Sequence, residues 1–380
     1  MTPQVEMTID GVPVASAFYT RLVSLTVTDK EGSSSDTFEA ELNDGPPDFL
    51  ALPRKGAVAG IRMGYAQTGL RNMGRFTVDQ VGGECLPYRL KISGKAVDMR
   101  ASPLKQRAER HWDDTTLGEV VKDLAEEAGL EPVIAERLAS IRLPWIGQLD
   151  ESPLHFLERL AGRYNGLFAI KAGRLLFGER GTGLSASGAP LGTIVLRPEL
   201  IIPNTLKFSL PDRAKYGKVV AYYQDEGEAK RVEVEAEGDE DSEAVYRIPD
   251  AFADAGEAGE AAEAQAKALA RGEGSVEVVI QGDTAVGAGM PLTFAAVRPG
   301  LDGVAMTVET AKHSISKTEG FRTAISAKLY DGKSAGKGSG SAADDDASEP
   351  GAAQKPEPAK GLPGIPAQWT GTRLGRTDDN

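Results

Sequence analysis

LDESPLHFLERLAGRYNGLFAIKAGRLLFG, residues 149–178, changes its hydrophobic period midway, and that change decides how the chain is read. Up to Tyr164 the apolar residues fall at helical spacing: Phe156, Leu157, Leu160, Ala161 and Tyr164 share one face. Ser152 is placed to cap this helix, and Pro153 fits its first position, where no amide donor is needed. Asn165-Gly166 ends it. Residues 167–170 and 174–177 then read as two short strands joined by Lys171-Ala172-Gly173, a β-hairpin. A helix feeding a hairpin predicts a small α/β unit.

Working outward, the same unit gains a second helix upstream. Thr116 and Glu119 have capping-box spacing, in which each side chain satisfies a free amide of the other. Leu117, Val120, Val121, Leu124 and Ala128 follow on one face, and Gly129 is a fitting C-terminal cap. Residues 104–184 are therefore expected to form an α/β insert. Its structural core is Leu117, Val120, Val121, Leu124, Phe156, Leu157, Leu160 and Tyr164.

The flanks are β-rich. Val5, Met7 and Ile9 alternate before Asp10-Gly11, and Phe38, Ala40 and Leu42 alternate before Asn43-Asp44-Gly45-Pro46-Pro47. Residues 22–28, 58–65, 75–81 and 88–93 complete the set, with Gly82-Gly83 expected between the last two. Short strands at this spacing predict a small antiparallel barrel-like domain over residues 1–103. Beyond the insert, residues 218–223, 231–237, 275–280, 290–296, 306–313 and 323–330 repeat the pattern. They predict a second barrel-like domain over 185–330, interrupted by an Ala/Glu helix near 255–270. After Asp331 the composition turns Gly/Ser-rich, acidic and Pro/Ala-rich, so 331–361 is expected to be a disordered linker. Apolar residues return at Leu362, Pro363, Ile365, Trp369 and Leu374. The terminal peptide 362–380 is thus a possible partner-docking segment, with Leu362, Ile365, Trp369 and Leu374 as its contacts. The fold class expected is mainly β with an α+β insert.

Composition narrows the function. The 380 residues carry 43 Lys and Arg against 56 Asp and Glu, a formal charge of −13. That balance argues against stable nucleic-acid binding, which relies on Lys and Arg displacing phosphate counterions. The single cysteine, Cys85, permits no intrachain disulfide. No run of 18 apolar residues marks a membrane span, and the first residues do not read as a secretory leader.

Chemistry-bearing patterns are sparse. His111, His155 and His313 are far apart and form no metal-binding pattern. No nucleophile elbow or Cys–His signature occurs. Gly332–Lys337 falls one residue short of a phosphate-binding loop, and Gly181-Thr182-Gly183 and Gly287-Ala288-Gly289 read as turns. Three acidic clusters could in principle serve glycoside hydrolysis: Asp113-Asp114, Asp150-Glu151 and Asp239-Glu240-Asp241. The first two stand where a helix N-terminus favours a carboxylate, and the third reads as a solvated loop. No catalytic, cofactor-binding or metal residue is assigned.

Two blocks carry a family resemblance. Residues 149–178 resemble a segment of phage late control protein D and related tail hub proteins, through Glu151-Ser152, Phe156-Leu157, Arg159-Leu160-Ala161 and Phe177. Residues 282–329 resemble the last barrel of that family. The matching positions are Gly282-Asp283, Gly289, Gly300, Asp302-Gly303, His313-Ser314, Gly320-Phe321 and Thr323, after an Ala-rich helix ending in Arg271. The resemblance also extends to the N-terminal hub part of type VI secretion spike proteins. It implies a virion structural protein of the tail baseplate, assembled in the host bacterial cytoplasm. It further implies a homotrimer that adapts a hexameric tail tube to a trimeric spike. The implied partners are a separate tail spike protein, a tail tube or tube-initiator protein, and other baseplate proteins. The alternatives are a peptidoglycan-degrading or a peptidoglycan-binding tail-tip protein.

Overall fold

A computed structural model describes residues 1–330 apart from 33–35, 97–102, 172, 184, 186, 188, 211–215, 226–229, 239–241 and 272–273. The fold is mainly β, with few helices. Residues 331–380, including Leu362, Ile365, Trp369 and Leu374, lie outside the described residues.

The first β unit contains β1 (Pro3–Ile9), β2 (Val12–Pro13), α1 (Ser16–Arg21), β3 (Leu22–Lys30), β4 (Thr37–Asn43), β5 (Val58–Tyr65), β6 (Gly69–Glu84) and β7 (Arg89–Ala96). Its strand order is β3-β4-β7-β6-β5-β1-β2, antiparallel throughout. Residues spaced by two fill its core: Leu25 and Val27; Phe38, Ala40 and Leu42; Ala59, Ile61 and Met63; Phe76 and Val78; Leu90 and Ile92. This is the period of one buried face per strand. The Gly82-Gly83 pair is not the turn its composition suggests. β6 runs through it, and the chain reverses at residues 85–88. Gly83 lies opposite Leu90, and a Cβ there would sit 2.6 Å from the Arg89 carbonyl. The glycine serves close strand approach rather than reversal.

The insert contains β8 (Ala108–Thr116), α2 (Leu117–Glu127), β9 (Glu131–Ile134), α3 (Glu136–Ala139), β10 (Arg142–Glu151), α4 (Pro153–Arg163), β11 (Gly166–Lys171) and β12 (Arg174–Glu179). The capping box forms: Glu119 N–H donates to Thr116 Oγ1 at 3.2 Å, and Thr116 N–H donates to Glu119 Oε2 at 3.0 Å. Ser152 Oγ accepts from His155 N–H, and Gly129 takes the left-handed φ of +67° after α2. β8, β9 and β10 carry too few regularly spaced apolar residues to be read from sequence. β8 and β10 pair with each other, while β9 adds in parallel to the β11–β12 hairpin. Leu117, Val120, Val121, Leu124, Phe156, Leu157, Leu160 and Tyr164 lie in one buried cluster with Phe177.

The remaining strands divide between the sheet of the first β unit and a separate one. β13 (Ile194–Leu196) and β14 (Lys207–Ser209) belong with the later strands β18, β19, β20 and β21. Between them come β15 (Lys218–Asp225), β16 (Lys230–Glu237), β17 (Val245–Phe252) and α5 (Ala255–Arg271). These build a separate three-stranded sheet covered by α5. Ala258, Ala261 and Ala262 are the buried side of α5; their small side chains let the helix lie close on Val219 and Ala221. The last four strands are β18 (Ser275–Gln281), β19 (Pro291–Phe294), β20 (Met306–Ser316) and β21 (Gly320–Leu329). Their core holds Val276, Val278, Ile280, Phe294, Met306, Val308 and Ile325.

The two large β units share one sheet. β20 pairs antiparallel with β3, from Thr310 opposite Lys30 to Ser316 opposite Ser24, making a sheet of 13 strands among the described residues. Phe321 and Ile315, from the second unit, pack into the core of the first.

Candidate functional site

The β3–β20 seam is where the parts of the chain converge, and its polar groups form the junction of three of them. Asp29 stands near the end of β3, opposite Ala311 of β20. Lys171, the last residue of β11, reaches across from the insert and ion-pairs with Asp29. The same ammonium lies 3.5 Å from Asp36 Oδ2. Asp29 Oδ2 also accepts the Ala288 N–H at 2.9 Å, from the loop before β19. Asp36 Oδ1 accepts from Lys30 N–H at 3.1 Å. One lysine therefore ties the insert to the first β unit, and one carboxylate ties both to the second.

The charges at this junction are unbalanced, two carboxylates to one ammonium. Burial pushes the Asp36 carboxyl up to about 6; Lys171 opposes the rise and neighbouring Asp29 adds to it. For Lys171 burial acts downward, but Asp29 and Asp36 together hold its ammonium above the ordinary lysine value.

The loop 282–290 is clamped from several sides. Tyr65 Oη donates to the Gly282 carbonyl at 3.0 Å, and Arg71 Nη1 donates to the Thr284 carbonyl at 2.8 Å. His313 is buried beneath it, with Nε2 3.1 Å from the Val286 carbonyl and Nδ1 3.0 Å from Thr323 Oγ1. The carbonyl requires the ring proton on Nε2, which leaves Nδ1 to accept from the threonine hydroxyl. Burial holds this imidazole below the ordinary histidine value, against the pull of Asp29 and Asp283. Gly282 is required sterically: a Cβ there would meet the Phe321 ring at 2.1 Å.

A second junction joins the insert to α5. Arg163 Nη2 lies 2.8 Å from Glu257 Oε1, which also accepts from Tyr164 Oη at 3.2 Å. Glu257 Oε2 accepts the Ala253 N–H at 2.8 Å. Arg163 stacks its guanidinium 4.7 Å over Phe252, and Arg137 bridges Glu179 and Glu260 at 2.8 and 3.0 Å. Burial, reinforced by Glu257, pushes the Tyr164 hydroxyl well above the ordinary tyrosine range.

The residues with catalytic potential stay apart. His111 is on β8 beside Asp113, at 3.3 Å; His155 is on α4 beside Glu151, at 3.2 Å; His313 is enclosed in the second β unit. Among the described residues no group of three His, Cys, Asp or Glu side chains could hold a metal. Asp113 and Asp114 do not front a helix as the sequence suggested: they lie within β8, and Thr116 with Glu119 caps α2 instead. Asp150 pairs with Arg107 at 3.0 Å and Glu151 with Arg159 at 2.5 Å. Asp239–Asp241 lie outside the described residues. Cys85 is exposed. No helix of the described residues is long and apolar enough to cross a membrane. The junction residues were missed by sequence reading because Lys171 and Asp29 are 142 positions apart, and lone charges at strand ends carry no local pattern.

Comparison with known proteins places this architecture. A family profile described as phage tail baseplate hub (GPD) matches residues 49–318. A protein of Escherichia phage 186 named as a probable baseplate hub protein is 35% identical over 221 residues. That match takes in 58% of this chain and 56% of the relative, so the chain spans little more than half the length of the curated relative. The 43 kDa tail protein of prophage MuSo2 from Shewanella oneidensis superposes with a TM-score of 0.66 at 13% identity, over 87% of this chain and 99% of that one. An E. coli component of the type VI secretion system shares the fold at a TM-score of 0.51 and 10% identity, over 85% of this chain and 76% of that one.

Proposed function

We propose, for a chain that belongs to the phage tail baseplate hub (GPD) family, that it is the central hub of a contractile tail or tail-like particle. In this reading three copies close into a ring that adapts a hexameric tail tube to a trimeric spike. Residues 1–103 and 185–330 supply one barrel-like domain each, with the insert 104–184 between them in the chain. The observation that carries the reading is the β3–β20 seam: two β units fused through one sheet form a stiff segment that three-fold repetition turns into six similar positions. The hub is non-enzymatic, contacts the spike, a tube or tube-initiator protein and other baseplate proteins, and resides in the virion after assembly in the host cytoplasm. It binds no nucleic acid stably, in keeping with its charge of −13.

Native mass spectrometry of the hub–spike complex tests this. Three hub chains per trimeric spike are expected. A one-to-one complex with a monomeric spike would sink the proposal.

A further inference from the structure

A cleft of about 910 Å³ opens between the insert and the β17–α5 unit, a volume typical of small-ligand sites. Its floor comes from β10, whose register against β8 shifts between Gln148 and Glu151. Trp145 is 53% exposed and Leu149 is 65% exposed, and both line the cleft. Between them is Gly147, where a Cβ would lie 2.7 Å from the indole ring. The glycine leaves room for the indole over the strand, where the ring lines the cleft and stays half exposed. Around this platform stand Arg107 paired with Asp150, and Arg159 and His155 paired with Glu151.

Three features define what such a site takes. Apart from Lys105, each charged residue of the lining has an opposite partner, Arg107 with Asp150, Arg159 and His155 with Glu151, and Arg163 with Glu257, so the cleft offers few uncommitted charges to a strong anion or cation. Each Arg–carboxylate pair presents donors and acceptors side by side, the complement of vicinal hydroxyl groups, each of which both donates and accepts. An added peptide strand is disfavoured, because Arg159 Nη2 already occupies the Gly147 carbonyl at 3.0 Å. A fixed, open indole suits the apolar face of a pyranose ring, and the exposed Leu149 beside it suits an acetamido methyl group.

We infer that this cleft binds an oligosaccharide of N-acetylhexosamine units, with Trp145 as the stacking platform and the Arg107–Asp150 pair as a hydroxyl-reading rim. This activity is binding without hydrolysis, and it is independent of the assembly role.

The test is titration of the full chain with chitohexaose, followed by calorimetry and tryptophan fluorescence. Fluorescence is read in a Trp369→Phe background; Trp112 is stacked on Phe156, donates to Asp123 and does not line the cleft, so the response there reports on Trp145. Saturable binding is expected, lost at least tenfold in Trp145→Ala and several-fold in Gly147→Ala, with unfolding temperatures unchanged. Maltohexaose, which lacks the acetamido group, is expected to bind more weakly. Absence of saturation at millimolar chitohexaose, equal binding by Trp145→Ala, or equal binding of maltohexaose overturns the inference. So does a cryo-EM map of the assembled tail in which protein fills the cleft.

Discussion

Replacing Asp36 with Asn tests the charge imbalance at the junction of the two β units and the insert. Asparagine keeps the side-chain oxygen that accepts from Lys30 N–H and removes one of the two negative charges facing Lys171. In the folded chain the Asp36 carboxyl is raised from 3.8 to about 6, chiefly by burial. Because the folded value lies above the unfolded one, the folded state holds a proton that the unfolded state releases. That contribution is complete below about pH 4 and is lost as pH rises through about 6. A shift of about two pKa units corresponds to roughly 3 kcal/mol. Partial exposure and the shared lysine reduce the effective cost at neutral pH to about 1–2 kcal/mol. Asp36→Asn should therefore raise the unfolding temperature at pH 8 by roughly 3 °C. The gain should shrink steadily toward pH 4 and vanish there. Differential scanning calorimetry across pH 4–8 reads this directly. If the variant is less stable than the parent at pH 8, Asp36 is a net favourable partner of Lys171 and the reasoning from two carboxylates against one ammonium is wrong.

Other outcomes follow from the insert and from the terminal segment. Leu157 is fully buried in the insert core, so Leu157→Asp should cost about 3–5 kcal/mol and give insoluble protein; a variant melting like the parent would mean that the helix face is misassigned. Deleting residues 362–380, or making Trp369→Ala, should leave the described fold intact and weaken capture of one neighbouring tail protein. Normal particle assembly by both variants, with Trp369 fluorescence unchanged by every partner, would remove the docking peptide from consideration.

The sequence by itself determined those features whose physical cause is local. Helix capping acts over three residues, so the Thr116–Glu119 capping box and the Ser152 cap before Pro153 placed α2 and α4. Alternation acts over two, so Phe38, Ala40 and Leu42 announced a half-buried strand before any partner strand was known. Helical spacing likewise exposed Phe156, Leu157 and Leu160 as a buried face. Features that depend on what lies across the gap were closed to it. β8 and β10 hold few patterned apolar residues and become strands because they pair with each other. Gly82-Gly83 reads as a turn in isolation, and only the closeness of Arg89 shows that it is a crowded ladder position. The β3–β20 seam, the Lys171–Asp29 ion pair and the Arg163–Glu257 contact join residues separated by tens to hundreds of positions. A charge or a strand edge carries no mark of its distant partner; tertiary structure decided these, because electrostatics and sheet pairing depend on distance in space and not on distance along the chain.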